Sequence, residues 1–162
     1  MSERKIDEAM VKHFIWAVNN YFTTATSIEP ETSPPYLVNS LKYFDYTGVI
    51  GISGDQKGAV YLSLASDLVE HILDNYHTNL EYANEEDKES IRLDLAGELT
   101  NTIAGNVRNH LGEGFLISVP VVFRTPGETM HLQKGIPSIA FPIKWNGFEC
   151  VLVVALEYSE PS

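Results

Sequence analysis

The chain has 162 residues, 44% of them apolar, enough for one domain over 1–162 with a sizeable core and too few for two independent cores. Eleven basic against 22 acidic residues leave a net charge of −11. That field repels phosphate backbones and anionic lipid heads, so nucleic acid and membrane are excluded as first partners and a basic protein surface is favoured.

Cys150 is the single cysteine, which rules out an intrachain disulfide and a cysteine-based zinc cluster. In the strand-like run Glu149-Cys150-Val151-Leu152 it reads as a buried, inert thiol. Met1-Ser2-Glu3-Arg4-Lys5 lacks the apolar core of a signal peptide. The longest apolar run, Cys150 to Leu156, is too short to span a bilayer. The expectation is a soluble, cytoplasmic protein.

In chain order, Ile6, Met10, Phe14, Ala17 and Tyr21 recur at three- and four-residue steps, which predicts an amphipathic helix from Ile6 to Phe22. It should end before Thr23-Thr24-Ala25-Thr26, where a loop rich in helix breakers runs through Pro30, Pro34 and Pro35. Tyr36 to Tyr46 fits either an irregular segment or an edge strand. Gly48 to Ser53 and Ala59 to Leu64 read as two strands joined by the turn chemistry of Gly54-Asp55-Gln56-Lys57-Gly58. Ser66 or Asp67 caps a short helix to about His77, buried through Leu68, Val69, Ile72 and Leu73. A long helix begins near Asn84 and stops at Gly112. The acids from Glu81 to Glu89 read as its solvated start, favoured by the helix dipole.

Beyond it lie an apolar run from Ile117 to Phe123 and a looser connection with glycine and proline. A hairpin follows, Ser138 to Trp145 and Phe148 to Tyr158, with Asn146-Gly147 suited to a type I′ turn. The tail from Ser159 to Ser162 should fray. Gly58-Ala59-Val60-Tyr61-Leu62 and Gly147-Phe148-Glu149-Cys150-Val151 match in pattern at an offset of 147 − 58 = 89, a weak internal repeat suggesting two related halves.

Several familiar chemistries have no support. The five histidines form no His-Glu-x-x-His, and His71 and His77 point about 240° apart on a helix, so no protein-held metal is expected. Gly48, Gly51 and Gly54 belong to no Rossmann or P-loop fingerprint and read as strand and turn glycines. No G-x-S-x-G elbow supports a serine hydrolase.

The long helix carries the signal that survives. With Asp94 at zero and 100° per residue, Ile91, Leu95, Leu99, Ile103, Val107 and Leu111 sweep a buried face from about 60° to about 260°. The opposite arc holds Ser90, Asp94, Gly97, Glu98, Asn101, Gly105 and Arg108. Glu98 and Asn101, three apart, are surface neighbours. Each mid-helix glycine costs about 1 kcal/mol relative to alanine. Either these glycines are merely tolerated, or Gly97 lies close to another element of its own fold, or they let another protein's backbone approach Glu98 and Asn101; spacing alone leaves these open.

The run Asp94-Leu95-Ala96-Gly97-Glu98-Leu99-Thr100-Asn101-Thr102-Ile103-Ala104-Gly105-Asn106 resembles the active helix of the CheC/CheX/FliY chemotaxis phosphatases. Their signature is Asp or Ser, three residues, Glu, two residues, Asn, with a proline in a later strand. Leu116-Ile117-Ser118-Val119-Pro120 is similar to that strand, and the hairpin from Gly54 to Ser63 to the family's first strand pair. The likeness spreads over most of 45 to 158 and is nearest to the CheX branch, because a second Glu-x-x-Asn is missing: 98 − 89 and 101 − 89 fall on Ala9 and Lys12. The connection from Thr125 to Gly135 matches nothing in the family pattern.

The resemblance implies an α+β (α/β) fold, a mainly antiparallel sheet packed against long helices, with pseudo-duplicated halves. It implies hydrolysis of the aspartyl phosphate of a CheY-like response regulator. Asn101 would hold the attacking water and Glu98 would pair with the regulator's lysine, while Asp94 would support the helix face. Asp94, Gly97, Gly105 and Arg108 would make up the partner-facing surface. The chain would bind no cofactor, the Mg2+ belonging to the regulator, and would form a homodimer. Two other readings are a non-catalytic docking module related to the flagellar switch proteins and a small-ligand-binding domain.

Overall fold

The computed structural model describes residues 8–76, 84–132 and 135–157. The expected helix start at Ile6, the end near His77, Glu81, Tyr158 and the tail lie outside them. Helix α1 spans Glu8–Thr26, one turn beyond the expected end at Phe22. The extra turn is held by tertiary contacts: Thr26 Oγ1 bonds the Phe22 carbonyl and accepts from the indole of the buried Trp145 at 3.1 Å. Those bonds outweigh the weak helix preference of the threonines.

Three short strands follow, β1 (Glu31–Thr32), β2 (Tyr36–Leu37) and β3 (Ser40–Lys42), so the proline-rich loop and the ambiguous segment both contribute to sheets. The first hairpin is β4 (Tyr46–Gly54) and β5 (Lys57–Leu64). Helix α2 covers Ser66–Tyr76, burying Leu68, Val69, Ile72 and Leu73. Helix α3 covers Glu85–Leu111, capped by Asn84, whose side chain accepts from the Asp87 amide, and ended at Gly112. The expected run from Ile117 to Phe123 is two strands, β6 (Phe115–Ile117) and β7 (Val121–Arg124), interrupted at Ser118-Val119-Pro120. The looser connection contains a strand, β8 (Thr129–His131). The closing hairpin is β9 (Ser138–Trp145) and β10 (Phe148–Glu157). Its turn residues Asn146 and Gly147 have φ of 50° and 82°, the positive pair that a type I′ turn requires.

The main sheet runs β1-β9-β10-β5-β4-β6, with β2 also on β9 and β7 also on β4, every pairing antiparallel. One half of the chain contributes α1, β1, β2, β4 and β5; the other contributes α3, β6, β7, β9 and β10. Exchanging the halves reverses the sheet order, so each half lends its broken edge strand to the other's hairpin. Both edge strands break at a serine with a proline one or two residues on. Ser33, before Pro34 and Pro35, donates its amide to Pro142 O at 3.1 Å, and Ser118, two before Pro120, donates to Gly51 O at 2.9 Å. Proline has no N–H for the ladder, so pairing stops there.

The helices cover one face of the sheet over Phe14, Leu62, Leu99, Ile103 and Leu152. The β3–β8 ribbon covers part of the other, over Met130, Ala140, Val151 and Val153. Strand alternation sends Leu152 to one layer and Val151 and Val153 to the other, which is why the apolar run of β10 is continuous. The connection that begins at Thr125 thus has a packing role. Thr125 is buried and its hydroxyl lies 2.9 Å from that of Thr47, which in turn bonds Ser63.

Two glycines set the height of α3 over the sheet. A Cβ on Gly48 of β4 would stand 2.2 Å from Thr100 Oγ1 and 2.9 Å from the Ala96 carbonyl. A Cβ on Gly97 would stand 2.9 Å from Val122 Cγ1 of β7. Either side chain would push the helix off the strands.

Candidate functional site

The seating of α3 leaves a cleft of about 550 Å³ along its outer edge. Asp94, Gly97, Glu98 and Asn101 form the helix wall; Ile117, Ser118, Val119, Pro120 and Val122 form the strand wall. Asp94, Glu98 and Asn101 are all exposed. A three-residue step along a helix places Glu98 and Asn101 about 4.5 Å apart in rise and side by side on its surface. A carboxylate and a primary amide therefore face the same space, one an acceptor with full charge, the other able to donate and accept at once.

The strand wall is held by the interruption between β6 and β7. Ser118 accepts the Gly51 amide on Oγ at 2.8 Å and donates its own amide to Gly51 O, so two bonds tie the start of the break to β4. Pro120 packs against Gly97, its Cγ 3.7 Å from where a Cβ would stand.

Of the residues expected to face a partner, Asp94 and Gly97 line the cleft and Gly105 and Arg108 do not. Gly97 is buried, and its missing side chain is used by the chain's own β7. The open choice at the two glycines therefore resolves differently for each: Gly97 packs internally, while nothing lies within 4 Å of a Cβ on Gly105. Arg108 donates from Nε to Phe115 O at 3.2 Å, tying the end of α3 to β6. The acidic helix start also needs one correction. Glu86 and Asp87 are exposed, but Glu89 accepts from Tyr46 Oη at 3.0 Å and pairs with Arg92 at 3.0 Å. Arg92 also pairs with Glu70 of α2. That network joins α2, α3 and β4 and is structural.

Tyr21 of α1 carries no sequence signal beyond its place on an apolar helix face. Burial, and then the charge of Glu98, push its phenol up to about 12, so it stays a neutral hydroxyl. The strand-wall residues Ser118 and Val119 were visible only as neighbours of Pro120. Among the described residues no cluster of three or more His, Cys, Asp and Glu could hold a metal ion, and no helix is long and apolar enough to cross a membrane.

The sequence pattern described as "Chemotaxis phosphatase CheX" matches residues 46–144, more than half of the chain and the whole of the cleft. The chain belongs to the CheX family. No curated protein sequence matches it significantly. Solved structures do. A candidate chemotaxis protein from Desulfovibrio vulgaris Hildenborough is 28% identical, covers 96% of this chain and 100% of its own, and superposes with a TM-score of 0.79. The chemotaxis protein CheX from Desulfovibrio desulfuricans is 26% identical over 92% and 99% of the two chains, with a TM-score of 0.78. A CheX from Borrelia burgdorferi, solved with CheY, beryllofluoride and magnesium, shares the fold at 19% identity over 95% and 100% of the chains, with a TM-score of 0.76. In this CheX-family protein α1 contains no Glu-x-x-Asn, so it carries no second pair.

Proposed function

We propose that the protein hydrolyses the aspartyl phosphate of a CheY-like response regulator, with Glu98 and Asn101 as the working pair. The observation that carries this reading is the exposed carboxylate–amide pair on the helix wall of the cleft, in a chain of the CheX family. The Borrelia relative's complex with CheY supports the choice of partner.

The chemistry asks little of the phosphatase. An acyl phosphate is already activated, and its hydrolysis chiefly needs an in-line water and compensation of charge. Asn101 holds the water through its amide. The water oxygen bonds to phosphorus, the bond from phosphorus to the aspartyl oxygen breaks, and the carboxylate and inorganic phosphate leave. Glu98 pairs with a lysine of the regulator, which sets the register of docking. Asp94, a turn earlier, extends the acidic edge of the cleft. The regulator's own magnesium supplies charge neutralisation at the phosphoryl oxygens; this chain binds none. The protein acts as a homodimer in the cytoplasm.

The test is release of phosphate from a panel of phosphorylated regulators, each with and without the protein. Acceleration for at least one regulator is expected. No acceleration for any of them, despite measurable binding, leaves a docking module and refutes the phosphatase reading.

A further inference from the structure

The cleft has one feature that the carboxylate–amide pair leaves unused. Val119 stands at the apex of the β6–β7 interruption with 83% of its surface exposed, on the wall opposite Glu98 and Asn101. A single exposed valine is ordinary. This one is held out by design of the backbone. Ser118 bonds Gly51 twice, amide to carbonyl at 2.9 Å and hydroxyl from amide at 2.8 Å, and its hydroxyl also donates to Val119 O at 3.1 Å. On the other side Pro120 rests on Gly97. An interruption fixed at both ends re-aims the residue between, as strand irregularities beside active sites do. The related break in the other half has Pro34 where this one has Val119, and that half also lacks the acid–amide pair.

We propose that Val119 is the apolar contact that seats the receiver domain of the regulator against Glu98 and Asn101 and selects among regulators, and that Ser118 is its positioning residue. This rests on the phosphatase reading for the identity of the partner. For this seating the regulator must present an apolar surface next to its phosphorylated aspartate and lysine. A rigid knob gives affinity without the loss of side-chain freedom that a long flexible residue would suffer.

The experiment measures affinity of the full chain for a panel of beryllofluoride- and magnesium-loaded receiver domains, with KM and kcat on the same regulators phosphorylated. Val119→Asp should weaken binding and raise KM by roughly tenfold or more, with kcat at saturation within about twofold and the melting temperature unchanged. Val119→Ile should keep wild-type values. Ser118→Ala should move KM in the same direction by less, and Ser118→Thr, which keeps the hydroxyl, should restore it. Unchanged affinity and KM in Val119→Asp overturn the proposal. So does a change in self-association by sedimentation with KM unaltered, which would make the knob a contact between copies. Binding without acceleration by the wild type refutes only the phosphatase reading; failure to bind any loaded receiver refutes both.

Discussion

Asn101→Ala separates catalysis from folding and from docking more cleanly than any other change in the cleft. Asn101 is exposed on α3, and alanine is the better helix former by up to about 0.7 kcal/mol. Exposed substitutions of this kind stay within about 0.5 kcal/mol, so the melting temperature should hold or rise slightly. The catalytic effect is of another size. Removing one preorganised polar group that acts on the transition state costs about 2.7–4 kcal/mol, or roughly 10²–10³ in rate. Regulator affinity should change little, because the amide meets the water rather than the partner's surface; this is the signature of an interaction made in the transition state. Single-turnover dephosphorylation with enzyme in titrated excess reads the rate and the half-saturation point together, and a thermal melt reads stability. Turnover within a few-fold of wild type would refute the proposed role of the amide. A collapse in the melting temperature would refute its placement on the open face.

Glu98→Ala should raise half-saturation and lower the rate together, since it removes the charge that meets the regulator's lysine; a pure rate effect in the same titration would argue against that pairing. Gly105→Leu should melt no lower than wild type because nothing lies within 4 Å of its Cβ, whereas Gly48→Ala should melt well below it because its Cβ would fall 2.2 Å from Thr100 Oγ1; equal melting temperatures would refute the tight seating of α3. Catalytic efficiency should fall between low and high salt if the net charge of −11 steers docking, since exposed charges are screened beyond about 8–10 Å at moderate ionic strength; a flat profile removes steering. Burial pushes the Cys150 thiol up to about 12, so below that pH the folded protein holds it as the unreactive thiol, and a thiol reagent at pH 8 should label it only after unfolding.

Much of this protein was legible in local patterns. The apolar arc on α3, its start near Asn84, the Asn146-Gly147 turn and the Glu98–Asn101 pairing depend on residues a few positions apart, where helix and turn geometry follow directly from periodicity and side-chain chemistry. The weak repeat at 89 residues only suggested two related halves. What the repeat leaves open is the exchange of edge strands between halves, because that pairing joins segments such as Phe115–Ile117 and Ile52–Gly54 that are over sixty residues apart. The interruption at Ser118-Val119-Pro120 was hidden for the same reason: a run of apolar residues reads as one strand until the partner across the ladder is known. Glu89 sat in a row of acids and drew its partners, Tyr46 and Arg92, from β4 and the next turn of α3. The two glycines of the helix arc make the division plainest. On the helical wheel Gly97 and Gly105 share the outward arc, and no local rule separates them. Only the arrival of β7, carrying Val122 to within 2.9 Å of where a side chain on Gly97 would begin, makes one a packing requirement and leaves the other open to solvent, because steric exclusion between distant segments exists only once the chain has folded.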